Sequence, residues 1–393
     1  MKKKVFYYTS AYFLDVSVEL IQALKHLVDL YVFIEVTDQS KKATILNIDT
    51  LPANTKMATP QELMNAATLE NFEPYFAGTK SVQFVIHNYA SANILKAYRT
   101  ASPVREMIRQ IRPDVLHLEG YTLRTIGLYP MFGSVQKCLL AVHDSQVHSG
   151  MKNIKVSIPR WLAFNWPIKK TLVFYSQYSK QDFVKNISHR PADYLLLKLY
   201  QFSFLGRLAG ATQKGHDYIL FFGRISAYKG LDILLDAMKA VWAEHPAEKL
   251  IVAGAGMDET IAAHPLLNGS DNRVVFRNEF IDSAELAILI SKAKFVVCPY
   301  KDATQSGVLV SSFALNKPVL ATNVGAFSEQ LQDEVTGKII PATDAKSVAE
   351  TILYALQNER YRIWEQNLQE IGESNPWMLN AEILLKAYGQ NKQ

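Results

Sequence analysis

Along this chain, short wholly apolar runs alternate with longer stretches whose apolar residues recur at helical spacing. In the first half the apolar runs at 5–9, 30–36, 82–87, 115–118, 138–142 and 172–175 predict strands, with helices over 16–30 and 92–111. The second half repeats the pattern more cleanly, with strands at 218–222, 249–253, 274–276, 295–298, 318–321 and 337–340. Helices are predicted there over 230–245, 284–293, 308–315, 327–331 and 344–358; helical character continues through Trp364 and Leu368, and a final helix runs from Trp377 to Tyr388. Strands without polar alternation, separated by helices, imply a parallel sheet covered on both faces. Two such series predict an α/β chain of two doubly wound Rossmann-like domains. The polar, glycine-containing stretch 206–216 is the expected linker, giving domains at 1–205 and 217–370 and a C-terminal helix within 371–393 that packs back on the first domain. In open parallel sheets ligands bind beyond the carboxyl ends of the strands, so a cleft between the two domains is the expected site.

Length agrees, since 393 residues exceed what one hydrophobic core usually organises. Charge adds an asymmetry. Residues 1–200 hold 24 Lys and Arg against 15 Asp and Glu, whereas the remainder holds 18 against 22. A basic first half suits an anionic partner such as a bilayer surface or a lipid-diphosphate acceptor, or is a plain solvated surface. No nucleic-acid motif or continuous basic tract is visible, so nucleic acid is not an expected partner. No run reaches the ~18 apolar residues of a spanning helix, and Met1 to Lys4 leads into a strand, not a signal peptide. A cytoplasmic location, peripheral on the membrane at most, is therefore expected. Cys138 and Cys298 lie inside apolar strand patterns and read as buried reduced thiols.

The candidate chemistry gathers in two stretches of the second half. Phe221-Phe222-Gly223-Arg224-Ile225-Ser226-Ala227-Tyr228-Lys229-Gly230 is a strand ending in glycine, then a turn with two cations, then a helix. An Arg fork and a Lys point charge at a helix start suit phosphate oxygens. Pro299-Tyr300-Lys301-Asp302-Ala303-Thr304-Gln305-Ser306-Gly307-Val308 places small residues before another helix, where backbone can approach a ligand.

Taken with Val252 to Gly256, Lys317 to Thr322, Val324 to Glu329 and Thr336-Gly337, these stretches resemble the retaining glycosyltransferases of family 4, the group 1 transferases of the two-domain GT-B fold. The resemblance covers 217–345 most closely; in the first half it rests on Arg112 to His117 and Val142 to Asp144. It implies that the second domain binds a nucleotide diphosphate sugar and the first an acceptor, saccharide or lipid-linked, in surface polysaccharide or glycolipid assembly. Arg224 and Lys229 would hold the diphosphate and stabilise the leaving charge. Gly223, Gly254 and Gly256 would shape the nucleotide loop, a backbone contact near Phe280 would read the base, and Glu329 would face the donor or hold a helix turn. Glycines in such turns serve backbone geometry as readily as binding. Most of the family carries two glutamates in the donor loop, at the positions of Ala303 and Ser311 here. A branch with a Ser-Gln-Ser-Gly-Val loop is similar to this chain, and in it Gln305 and the amides of Ser306, Gly307 and Val308 would contact sugar or phosphate. Transfer in the family uses the leaving phosphate as proton acceptor, so neither metal nor other cofactor is expected. The missing carboxylates keep a non-catalytic nucleotide-sugar-binding relative open as an alternative, as is another GT-B enzyme such as a nucleotide-sugar epimerase.

In the first domain, His117 and Glu119 end one strand and His143-Asp144 follows the next. All four, with Asp15 of the first strand-to-helix loop, are candidates for the acceptor side. His143 with Asp144 leads, because an adjacent carboxylate orients an imidazole; the alternative is that these residues cap strands. The segment 152–170 interleaves Lys152, Lys155, Arg160, Lys169 and Lys170 with Ile154, Ile158, Trp161, Leu162, Phe164 and Trp166. It reads as a contact for an anionic membrane interface or as a packed helix with a basic edge.

Overall fold

The computed structural model describes residues 1–43, 45–88, 94–145, 154–210, 215–256, 261, 263–268, 271–303, 306–372 and 376–390. They form two units, Met1–Lys198 with Pro376–Gln393, and Leu199–Asn375.

The first unit contains β1 (Lys4–Ser10), β2 (Asp29–Thr37), β3 (Lys42–Ala43), β4 (Leu46–Asn47), β5 (Met57–Ala58), β6 (Ser81–His87), β7 (Val115–Glu119), β8 (Lys137–Ala141), β9 (Thr171–Phe174) and β10 (Asp193–Leu196). Eight of these make one sheet in the order β10-β9-β8-β7-β1-β2-β6-β5, parallel except for β5, while β3 and β4 pair separately. The order reverses about β1, whose carboxyl end lies between those of β7 and β2. That switch point is where a doubly wound sheet leaves a crevice for ligand. β1 and β7 are buried almost throughout, and their register pairs Tyr7 with His117 and Thr9 with Glu119. Because side chains alternate along a strand, His117 and Glu119 share one face.

The expected helix over 16–30 forms at Leu14–Leu24 and stops early, since Asp29 already opens β2. The helix expected over 92–111 is two helices, Ile94–Thr100 and Ser102–Ile111, with Pro103 in the first turn of the second, where its missing N–H costs least. The last helix, Trp377–Tyr388, belongs to the first unit. Its Asn380 side chain exchanges hydrogen bonds with the Lys198 backbone, and Gln390 beyond it accepts from Lys3 N and donates to the Leu27 carbonyl.

The second unit has one parallel sheet, β13-β12-β11-β14-β15-β16, built from β11 (Tyr218–Phe222), β12 (Leu250–Ala253), β13 (Val274–Arg277), β14 (Ala293–Cys298), β15 (Val319–Thr322) and β16 (Gly337–Ile340). Apolar clusters cover both of its faces, one under the helices Leu231–Glu244 and Ala345–Leu356, the other under Ser283–Lys292 and Gly307–Phe313. The expected linker opens with helix: Ser203–Ala209 packs Ala209 into the second of these clusters, so the units divide earlier, at Lys198. Both cysteines are buried and free, and burial pushes each thiol up to about 12.

Candidate active site

In the second unit, β11 ends at Gly223, whose φ of +100° turns the chain in a conformation that costs a side-chain-bearing residue. A Cβ there would lie 2.7 Å from Lys229 Nζ and 3.4 Å from Val308 Cγ2, so the absence of a side chain lets the amine settle against the turn. Residues Ala227–Lys229 form one 3-10 turn, and Gly230 then caps Leu231–Glu244. The two motifs meet through backbone: Lys301 N donates to the Tyr228 carbonyl at 2.7 Å, and Gly230 lies too close to the Pro299 carbonyl to admit a Cβ.

Lys229 is 6% exposed, with its ammonium 5.2 Å from the centre of the Tyr300 ring. Burial lowers its pKa to about 8; the Cys298 thiol acts in the opposite sense and the Arg224 charge adds to the lowering. No carboxylate is among the groups acting on it, and Arg224 stands exposed beside it. Asp232, in the first turn of the following helix, is taken by Lys301 at 2.7 Å. Two cations, one of them desolvated and with no carboxylate acting on it among the described residues, lie together at a glycine turn, an arrangement suited to an anion of more than one charge.

The other donor-side candidates fall into place less uniformly. Gly254 and Gly256 lie against the backbones of Gly223 and Ile225, and Gly256 N donates to Asn278 Oδ1 at 3.0 Å, so both serve the close pairing of two loops. Phe280 is 42% exposed. Ser306 caps Gly307–Phe313 by accepting from Val308 N at 3.2 Å, which commits that amide to the cap. Glu329 is exposed on the short helix Phe327–Gln330. Ala303 and Ser311 are buried. Gln305 lies outside the described residues.

In the first unit the polar candidates gather at the carboxyl ends of β1, β7, β8 and β9. Glu119, 1% exposed, accepts from Tyr7 at 3.0 Å and from Tyr175 at 2.6 Å. His143 Nε2 lies 2.8 Å and His117 Nε2 3.4 Å from its two carboxylate oxygens. Burial alone would raise this carboxyl, but hydrogen bonds from His117 and His143, and their charge, hold it well below the usual carboxylate range. His117 Nδ1 is 2.6 Å from Tyr388 of the last helix, an accepting position if Nε2 carries the proton toward Glu119. His143 is clamped between the rings of Phe13, stacked at 4.0 Å, and Tyr175 at 5.2 Å. Gly120, at φ +93°, is the residue whose missing Cβ lets the Phe13 ring close down. Asp15 opens the helix Leu14–Leu24 next to His143; burial lifts its carboxyl to about 6, against the pull of the Val16 N–H and His143.

Parallel register brings the ends of β7 and β8 side by side and sets the Glu119 carboxylate, as well as the neighbouring Asp144, close to His143. Asp144 offers its carbonyl to Arg160 at 3.1 Å. His117 and Glu119 are buried and face other protein groups, so neither presents itself to an acceptor.

The sequence pattern did not single out Tyr7, Tyr175, Tyr388 or Phe13, nor the neighbouring group in which Tyr8 and Thr122 donate to Glu35 at 3.1 and 3.0 Å with Arg124 at 3.7 Å. The available signal was a His and a Glu two apart inside an otherwise apolar strand, which calls for buried partners. Among the described residues no group of three or more His, Cys, Asp or Glu is gathered that could hold a metal ion.

The segment 152–170 is mixed. Lys152 lies outside the described residues, and the helix is Ile154–Asn165. Arg160 turns inward to Tyr121, Asp144 and Ser145, and Lys170, 2% exposed, donates to the Trp166 carbonyl at 3.0 Å. Ile158, Trp161 and Lys169 face out. No helix among the described residues is long and apolar enough to cross a membrane.

Residues 202–358 match the family model for glycosyl transferases group 1. The phosphatidyl-myo-inositol mannosyltransferase of Mycobacterium leprae is 29% identical over 158 residues, which are 40% of this chain and 41% of that protein. The chain spans about half the length of the curated relatives it matches. A glycosyltransferase from Rickettsia africae superposes with a TM-score of 0.65 at 14% identity, over 100% of both chains. Anabaena Alr3699/HepE in complex with UDP-glucose gives a TM-score of 0.64 at 14% identity, over 98% of this chain and 99% of that one. Residues 202–358 are thus similar to the group 1 glycosyl transferases, and the chain shares the GT-B fold of two Rossmann-like units.

Proposed function

We propose that this protein is a retaining, metal-independent glycosyltransferase that moves a sugar from a nucleoside diphosphate to a saccharide or lipid-linked acceptor. The observation that carries the reading is the desolvated Lys229 ammonium beside Arg224, held on a glycine turn with no carboxylate acting on it among the described residues. These two cations supply the charge that the departing diphosphate needs, which is the electrostatic part of the chemistry and the part a divalent metal would otherwise supply. The first unit supplies the acceptor side through His143 and Asp15. The names of the relatives support a glycolipid or polysaccharide acceptor: the Mycobacterium leprae protein is named for mannosyl transfer to phosphatidyl-myo-inositol. HepE, solved with UDP-glucose, supports a nucleotide sugar as donor.

The test incubates the protein with UDP-, GDP- and TDP-sugars and a cellular lipid extract, with and without a chelator. The expected result is nucleotide release unaffected by the chelator and a product of unchanged anomeric configuration. Inversion at the anomeric carbon would overturn the retaining assignment. Stabilisation by a donor without any turnover would favour the non-catalytic reading, which the apolar Ala303 and the buried Ser311 motivate. Peripheral membrane contact, proposed through Trp161 and Lys169, predicts that Trp161→Ala weakens pelleting with anionic vesicles; unchanged pelleting would remove it.

A further inference from the structure

Lys229 is a buried cation in a site that has to keep it charged. Burial works against that, which is why its pKa falls to about 8. Folds ordinarily meet a buried charge with a partner of opposite sign, but a carboxylate at this turn would neutralise the ammonium and repel an incoming anion. Among the described residues the group set against it is an aromatic face instead. The centre of the Tyr300 ring lies 5.2 Å from Lys229 Nζ, within the range at which a ring quadrupole attracts a cation. A ring face attracts without carrying net charge, so it favours the ammonium and leaves its charge for a ligand.

We propose that Tyr300 is a positioning residue whose ring face keeps the Lys229 ammonium charged for a nucleoside diphosphate, in place of an acid that would compete for the anion. The role toward a diphosphate rests on the transferase reading; the pairing of ring and ammonium does not. The ring is fixed from several sides. The Tyr228 ring meets it edge-on at 6.0 Å, and the Phe327 ring lies at 5.3 Å. Thr322 Oγ1 donates to the Tyr300 carbonyl at 2.6 Å, and the adjacent Lys301 N donates to the Tyr228 carbonyl at 2.7 Å. Tyr300 thereby joins the two motifs. Its backbone follows β14, its ring underlies Lys229 of the glycine turn, and its hydroxyl is buried beside Ser306 and Cys298. The charged and titratable groups acting on Lys229 are Arg224 from its own turn and Cys298 from β14, with Tyr300 against its ammonium. Burial pushes the Cys298 thiol up to about 12 and the Tyr300 hydroxyl well above its usual range, so neither exchanges a proton where Lys229 does.

The test is NMR of the full chain labelled with 13C-lysine, titrated with pH in the absence of nucleotide, with the Lys229 Cε signal assigned by its loss in Lys229→Met. The unsubstituted protein is expected to titrate near pH 8, and Tyr300→Phe, which keeps the ring, at the same pH. Tyr300→Leu is expected to lower the midpoint by about 0.5 to 1 pH unit, the loss of one partly desolvated cation–π contact. A midpoint that stays or rises in Tyr300→Leu would overturn the proposal, as would an equal fall in Tyr300→Phe. If Tyr300→Leu does not fold, pentafluorophenylalanine at position 300 keeps a ring there while reversing the charge of its face. It is expected to give the same fall, and an unchanged midpoint would overturn the proposal. Calorimetric titration with UDP, GDP and ADP reads the consequence. For the nucleotide that binds, Tyr300→Leu is expected to weaken affinity about two- to fivefold at pH 8, the drop in charged lysine that the shift implies, and less than about twofold at pH 7. Tyr300→Phe is expected to bind as the unsubstituted protein does. Equal affinity of Tyr300→Leu and the unsubstituted protein at pH 8 would overturn the role toward the ligand. If none of the three nucleotides binds at any pH, the diphosphate reading fails, and the NMR midpoints still decide the pairing of Tyr300 with Lys229.

Discussion

The polar clusters of the two units handle buried charge in opposite ways. In the first unit the charge is a carboxylate, Glu119, which accepts from Tyr7 of β1 and Tyr175 just after β9 and has His143 and His117 Nε2 at 2.8 and 3.4 Å. In the second the charge is an ammonium, Lys229, desolvated and with no carboxylate acting on it among the described residues, with a second cation beside it. The first cluster is complete in itself. On the proposed function the second is completed by an anion. A self-satisfied network rigidifies what it touches, whereas an unsatisfied charge is a binding site.

Substitutions should therefore move stability in opposite directions. The largest effect is expected for Glu119→Ala, which strands the Tyr7 and Tyr175 hydroxyls, removes the charge beside His117 and His143, and should cost about 3–5 kcal/mol in urea unfolding. Because the native carboxyl is held low, the stability it contributes is present above the ordinary carboxylate range and fades as the pH falls toward and below it. A loss under about 1 kcal/mol would contradict a saturated network. Next, Arg224→Ala with Lys229→Ala should weaken nucleoside diphosphate binding by at least about 100-fold, each charge-assisted contact being worth roughly 1.5–3 kcal/mol. Lys229→Met alone should stabilise the unliganded protein at pH 7 by about 2 kcal/mol while impairing that binding. The sign follows from a folded pKa of about 8, below the ordinary 10.5 for Lys: the unfolded chain holds the proton more tightly, so the native protein gains stability as the pH rises between those values. The gain from Lys229→Met should accordingly shrink at pH 10. The smallest effect is Asp15→Asn. Its carboxyl is raised to about 6, so ionisation on going from pH 4 to pH 7 costs the native state, and the amide should raise Tm at pH 8 but not at pH 4.

Much of the second unit was legible in the sequence, because its signals are local. The run Tyr218–Phe222 is apolar throughout and bounded by Gly223, and strand, turn and helix formed where the pattern put them. Even so, the pattern could not say that Lys229 would be buried, since that depends on Tyr300 and Val308 folding over the turn from 70 or more residues away. The first unit was legible as strands and opaque as a site. Tyr7, His117 and Tyr388 meet through register and through the docking of the last helix, relationships that spacing does not encode. Adjacency pointed to Asp144 beside His143 but gave no sign of Glu119, which parallel register brings to the same ring. The interleaved segment 152–170 left two readings open, a membrane contact or a packed helix with a basic edge, for a similar reason. Composition counts Arg160 and Lys170 as surface charge, while their backbone acceptors hold both inside.

The most direct test of the contrast is calorimetric titration of UDP, GDP and ADP into the protein at pH 7 and pH 9, repeated with Arg224→Ala and Lys229→Ala combined. At least one nucleoside diphosphate should bind, more weakly at pH 9 as Lys229 loses its proton, and the double variant should abolish both the binding and its pH dependence. Binding of equal strength in the double variant, or no binding by any of the three, would contradict the account.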